Sequence, residues 1–270
     1  MSLLTKTALP SLTALTLQAL NNHTKESSIQ RIQHFLQGQL TVDMNELLPT
    51  QSRWFAHCNL QGRMVSLGRI LPFEESYLLI LPQSIAATAA QHLEKYAAFS
   101  KIIVRERLDL SFFGLRSDEP LNRLPEEPET LSAEGETTFI CLQNRPFRWL
   151  GIHPKDKPYI DFTPSIEGSE SEWLCDEIAN FSPFLTPETV GKFLPHDIDL
   201  PAKKGVSFKK GCFLGQEIVA RMEHLGKLKK KMGLEILPED AFTQTEDHIV
   251  NQLIHPITQE RYRLTLKKTP

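Results

Sequence analysis

What this 270-residue chain lacks narrows its chemistry first. It has four cysteines, Cys58, Cys141, Cys175 and Cys212, far apart and without a CxxC spacing. That gives a local zinc or cluster site no support, and a disulfide framework is not expected in a chain of this length. No bound metal is expected. No stretch approaches the roughly 20 apolar residues that cross a bilayer. The first 20 residues mix Leu, Thr and Ala with one lysine and show no charged n-region, apolar core or small-residue cleavage site. A cytoplasmic protein without a membrane partner is the expectation. His34, His57, His196 and His224 are scattered without ligand spacing, so satisfied or surface histidines are expected.

What is present is the balance of a globular protein, 40% hydrophobic and 23% charged. The net charge is only −3 but unevenly placed: residues 203–231 hold nine Lys/Arg against two Glu, and residues 117–136 hold seven Asp/Glu against one Arg. The basic block suits a polyanionic ligand or a nucleic acid. A solvated lysine face is the plain alternative, and charge alone does not choose. Few aromatics interleave the block, which places a nucleic-acid-binding module third among the functional readings.

Periodicity and punctuation give an α+β chain. Residues 28–37 read as a helix capped by serines and ended by Gly38. Residues 53–59 and 63–70 read as strands joined by a turn at 59–62, with another strand at 77–81. A helix over 84–99 and strands at 101–105 and 108–114 complete a ferredoxin-like layer of helices on one sheet. Residues 116–136 read as a linker or exposed loop. Strands at 137–142 and 147–152 follow, then a helix over 171–180 carrying Trp173 and a Pro-punctuated loop over 181–211. Weaker strand signals lie at 232–236, 252–255 and 262–266. The expected units are residues 1–115, 116–231 and 232–270.

The stretch that carries most information is Lys209-Lys210-Gly211-Cys212-Phe213-Leu214-Gly215-Gln216-Glu217-Ile218-Val219-Ala220-Arg221, whose centre is K-G-C-x-x-G-Q-E. Residues 216–225 look like the first turns of a helix with Glu217 and Arg221 paired at i, i+4. Cys212 then lies near a helix N-terminus beside Lys209 and Lys210, which would make it a better nucleophile. The alternative is a buried cysteine in a glycine turn with lysines facing water.

This stretch resembles the signature of the YgfZ family of folate-binding proteins, relatives of the glycine-cleavage aminomethyltransferase, the T-protein. Two further patches carry the resemblance in the right order: Gln37-Gly38-Gln39-Leu40-Thr41-Val42-Asp43, and Ala56-His57-Cys58-Asn59-Leu60-Gln61-Gly62-Arg63-Met64. It implies ferredoxin-like α+β halves around a central channel, followed here by a shortened C-terminal β-barrel. It implies tetrahydrofolate or a one-carbon derivative as cofactor, stacked on Trp173, which is otherwise a core aromatic. Gly211, Gly215, Gln216, Glu217 and Arg221 are the other expected ligand-binding residues, with Cys212 and Lys210 as the reactive pair. Gln216 has a turn-ordering alternative, and Glu217 a structural one in its pairing with Arg221. The anionic tail of the ligand would suit Lys203, Lys204, Lys209, Lys210 or residues 227–231.

The chain also departs from the family. Asn21 and Asn22 stand where a second folate-contacting tryptophan is usual, Trp54 falls elsewhere, and Asn59 replaces an aspartate. The position where the aminomethyltransferases place a carboxylate falls near Val65, and a valine neither accepts a proton nor steadies a cation. The resemblance therefore implies no glycine-cleavage transferase. It implies a folate-binding accessory protein for iron–sulfur cluster assembly or repair, serving enzymes such as the tRNA methylthiotransferase indirectly. A folate-dependent one-carbon transferase with an unassigned acceptor is the alternative, and direct tRNA binding is left open.

Overall fold

The computed structural model describes residues 4–20, 25–158, 162, 165–225, 230–240 and 249–268. Its elements, in order, are β1 (Thr5–Ala8), β2 (Leu12–Ala19), α1 (Lys25–Gln39), β3 (Arg53–Cys58), β4 (Met64–Phe73), β5 (Ser76–Pro82), α2 (Ala86–Ala97), β6 (Ile102–Glu106) and β7 (Leu110–Ser117). There follow β8 (Leu131–Glu134), β9 (Thr137–Asn144), β10 (Phe147–Pro154), β11 (Ile166–Glu167), α3 (Glu170–Ala179), α4 (Gln216–Leu225), β12 (Lys230–Pro238), β13 (Ile249–Ile254) and β14 (Glu260–Lys268).

One five-stranded sheet has the order β3-β4-β5-β2-β6 with every neighbour antiparallel. Four of its strands, with α1 and α2 as crossovers, make the split β-α-β arrangement, and β3 is an added edge. The second sheet runs β11-β1-β7-β10-β9-β8 and draws strands from both sides of residue 115.

The alternation of side chains along the strands decides how the sheets stack. On β5, Leu79 and Leu81 join the core beneath the helices, while Leu78 and Ile80 point the other way. Leu78 and Ile80 meet Leu110 and Phe112 of β7 and Leu150 and Ile152 of β10 in a single cluster. The opposite face of the second sheet buries Phe113, Leu115, Phe139 and Trp149. The two sheets therefore pack face to face, and Trp173 of α3 enters their shared layer.

Several expectations shift. The N-terminal Leu/Thr/Ala stretch forms β1 and β2. The first helix runs through Gly38 instead of stopping before it, since Leu40 N–H still donates to Leu36 O at 2.9 Å. The 116–136 segment is no free linker: it holds β8, and Leu124 is buried. In place of a shortened barrel, β12-β14-β13 form an open three-stranded sheet among the described residues. Closure needs more strands and a matching stagger.

Candidate functional site

The three sequence patches converge. Lys210 is 8% exposed, and its ammonium donates to Leu40 O at 2.7 Å and Val42 O at 2.8 Å. Thr41 Oγ1 donates to Gly205 O at 2.6 Å and accepts from Ala56 N–H at 2.9 Å. Leu214 N–H donates to Gly38 O at 3.1 Å. Burial pushes the Lys210 ammonium down to about 8 against the smaller opposing effect of Asp43. Its charge is spent on backbone carbonyls.

Gly215 has φ +81°, and a Cβ there would lie 2.4 Å from Asn59 O and 3.0 Å from the Gly62 Cα. Gly62 has φ +70° and abuts Ile218 in turn. Asn59 Oδ1 accepts from Gln61 N–H and Arg63 N–H, both at 3.0 Å, so the turn survives without the usual aspartate. Gln216 Oε1 accepts from Phe213 N–H at 3.3 Å and orders the entry to α4. Glu217 and Arg221 pair at 3.1 Å as mostly exposed side chains, a surface i, i+4 pair. Gly211 is unhindered: a Cβ added there would meet nothing within 4 Å. Cys212 is exposed, whereas Cys58, Cys141 and Cys175 are buried.

Trp173 belongs to a different place. A capping box starts α3: Ser169 caps it, and Glu172 accepts from Ser169 N–H at 3.2 Å. That fixes Trp173 against Gly114 of β7, where an added Cβ would fall 2.4 Å from the ring. Arg148, 2% exposed, holds its guanidinium 4.0 Å over the Trp173 ring and pairs with Glu177 at 2.7 Å. The Arg148 Nε is buried without a partner.

Beside this pair lies a cavity of about 430 Å³, walled by Leu9, Trp54, Ile80, Leu150, Trp173 and Phe184 among others. An outer hollow of about 530 Å³ adjoins it at Trp54 and Arg69 and is lined by Glu129, Arg148, Lys203 and Lys204. The Arg69 guanidinium stands 4.4 Å from the Trp54 ring centre and pairs with Glu129, which also accepts from Ser52 Oγ at 2.6 Å. Lys203 Nζ lies 5.7 Å from the same ring, and burial, then Arg69, hold it below the usual lysine range. An apolar chamber with tryptophan walls thus opens onto a cationic mouth. None of residues 209–221 lines either space.

Among the described residues no three His, Cys, Asp or Glu side chains gather as a metal set. His196 pairs with Glu223 at 3.2 Å, and His34 and His224 are exposed. His57 differs from the expectation of a satisfied ring: it is buried beside His92 and its Nε2 has no partner. No helix among the described residues is long and apolar enough to cross a membrane.

No family model matches the chain. It is 31% identical over 233 residues to the tRNA-modifying protein YgfZ of Colwellia psychrerythraea, a match spanning 81% of this chain and 70% of that one. The chain belongs to the YgfZ family. The protein of the same name from Escherichia fergusonii is 30% identical over 212 residues, covering 74% of this chain and 65% of its own length. The chain therefore spans just under two thirds of that relative. A glycine cleavage system aminomethyltransferase T from Bartonella henselae has the same fold, with a TM-score of 0.70 over 99% of this chain and 79% of that one at 12% identity.

In this YgfZ-family chain the sequence patches are brought together as one backbone junction, with Cys212 on its outside. Trp173 stands apart from them, at the cavity. Reasoning from sequence missed Trp54, Arg69, Glu129 and Arg148. They come from β3, β4, the loop before β8, and β10, and no local pattern marks them. The one available signal was an arginine inside each of two mostly apolar strands, Arg69 in β4 and Arg148 in β10. Asn21, Asn22 and residues 227–229 lie outside the described residues.

Proposed function

We propose that this protein binds tetrahydrofolate or a one-carbon derivative in the cavity at Trp173. We propose further that it serves iron–sulfur enzymes as an accessory factor, supporting tRNA methylthiolation indirectly. The observation that carries the ligand reading is the pairing of an apolar, tryptophan-walled cavity with a mouth holding Arg148 and Lys203. A pterin is flat and stacks on an aromatic face, while the glutamate end of the same molecule is anionic. The unpartnered Arg148 Nε and the Lys203 ammonium would receive carboxylate oxygens, and charge-assisted hydrogen bonds of this kind are the strong ones. Bound folate supplies a one-carbon unit or reducing equivalents.

Val65 speaks against glycine-cleavage chemistry, since no carboxylate stands at that position. The thiol and the cavity are separate features, so Cys212 is available to a client protein approaching from outside, and Lys210 acts by tying the signature loop to residues 40–42. Titration with tetrahydrofolate, read by tryptophan fluorescence, tests the ligand. Wild type should quench, and Trp173→Ala should bind at least about tenfold more weakly. Absence of binding by wild type removes the ligand. In a strain deleted for its own family member, Cys212→Ser should fail to restore methylthiolated tRNA where wild type succeeds. Full restoration removes the thiol.

A further inference from the structure

Residues 180–186 follow α3 without regular secondary structure and run along the boundary between the cavity and the outer hollow. Asn180 lines the outer hollow, Ser182 lines both spaces, and Pro183, Phe184 and Thr186 line the cavity. The segment leaves α3 in a turn: Phe181 N–H donates to Ile178 O at 3.1 Å and Ser182 N–H to Glu177 O at 2.8 Å. Glycine or asparagine usually takes the left-handed position of such a turn. Here it is Phe181, at φ +53°. A bulky side chain holds that conformation only where its surroundings impose it.

One such constraint comes from a distant element. Asn251 of β13 is 2% exposed. Its Oδ1 accepts from Phe184 N–H at 3.1 Å and its Nδ2 donates to Phe184 O at 2.7 Å, so a side-chain amide pairs with the backbone as a neighbouring strand would. β13 is irregular at this point. Ile249 stands opposite Thr265 and Asn251 opposite Leu264, which leaves Val250 as an extra residue in a bulge. Bulges re-aim side chains, and this one sits directly beside Asn251. Downstream the segment is fixed separately: Leu185 is buried in the core, and Thr186 N–H donates to Thr189 Oγ1 at 2.8 Å. Residues 181–184 therefore form a short strap between two fixed ends, tied at Phe184. No described residue of β12, β13 or β14 lines either space, yet this sheet supplies the tie.

We propose that residues 181–184 gate the passage from the outer hollow to the cavity and that Asn251 is the latch. The third sheet then controls entry to the cavity without lining it, and Asn251 is a positioning residue. With the latch released, Phe181 leaves its left-handed φ as the hinge, Ser182 moves from the boundary, and the way to Trp173 opens. The gate serves whatever ligand the cavity takes, so acrylamide, a neutral quencher of tryptophan fluorescence, probes it without folate.

Trp54 lines both spaces, Trp173 only the cavity, and Trp149 is fully buried in another cluster. The full chain carrying Trp54→Phe thus reports on Trp173 against a constant background. Two further variants of it release the latch: Asn251→Ala, and Asn251→Asp, which keeps the size but cannot donate to Phe184 O. Amide exchange at Phe181 and Ser182, neither of which bonds Asn251, should quicken about fivefold, the shift expected from one net hydrogen bond. Acrylamide quenching should rise with it while the β14 amides stay protected. Unchanged exchange at Phe181 and Ser182 in both variants overturns the latch. Faster exchange there with unchanged quenching overturns the gate. If Asn251→Ala also exposes the β14 amides, the aspartate variant decides. Loss of β14 protection in both makes Asn251 a core residue of the sheet and overturns the latch as well.

Discussion

His57 is fully buried, with its Nδ1 3.4 Å from that of His92 and its Nε2 unpartnered. Burial, and after it the neighbouring His92, push its pKa down to about 3. The folded ring is therefore neutral where the unfolded one, at about 6.5, begins to take a proton. Between those values the unfolded state binds more protons, so stability is lost as the pH falls. From pH 6.5 to 5 the loss amounts to about 2 kcal/mol, and His92, also lowered by burial, adds in the same direction. Urea unfolding at the two values should show this drop in wild type and a clearly smaller one in His57→Gln. Parallel losses would mean that the acid sensitivity comes from elsewhere. The sequence marks His57 only as part of a patch. Its burial and its pairing come from α2, where His92 lies 35 positions away. Lys210 makes the same point, because a lysine beside a cysteine reads as an electrostatic partner for the thiol. Its actual acceptors, Leu40 O and Val42 O, are 170 and 168 positions away.

At the scale of elements, the entry to α4 and the β3–β4 turn are held backbone to backbone. Gly62 and Gly215 come from two separate patches, and each is a glycine for the same reason: a left-handed φ and no room for a Cβ. Gly215→Ala must move Asn59 O or abandon φ +81°, so it should destabilise the protein by about 2–3 kcal/mol in denaturant unfolding. A cost below about 0.5 kcal/mol would show that the junction yields freely. Local signals found α4, the β3–β4 hairpin and the strand pairs around β9 and β10, because each has its own periodicity and turn residues. They did not find β1 and β2. Thr13, Thr16 and the short Ala14 dilute the hydrophobic signal of β2, which becomes a strand by lying between β5 and β6. In the 116–136 segment the Pro and Glu content reads as loop, yet Glu129 is held there by Arg69 and Ser52, partners 60 and 77 positions away.

For the whole molecule, the cavity lies beside the layer where the two large sheets meet, and its wall contains residues of both: Leu67 and Ile80 from one, Leu142 and Leu150 from the other. A ligand there touches both sheets at once and must stabilise their association. At a free ligand concentration one hundred times Kd, mass action adds about 2.7 kcal/mol to the unfolding free energy. Gly114 of β7 decides whether Trp173 can take its place at this layer, since an alanine Cβ would sit 2.4 Å from the ring. Gly114→Ala should therefore weaken the unliganded protein by about 1–3 kcal/mol as ring and strand move apart. Because the displaced ring enters the cavity wall, the same variant should also lose most of the upward shift in Tm that tetrahydrofolate gives wild type. The two effects separate in thermal melts with and without ligand. A variant that melts earlier but keeps the full ligand shift would leave Trp173 a core residue and move the ligand to the Trp54 side of the cavity.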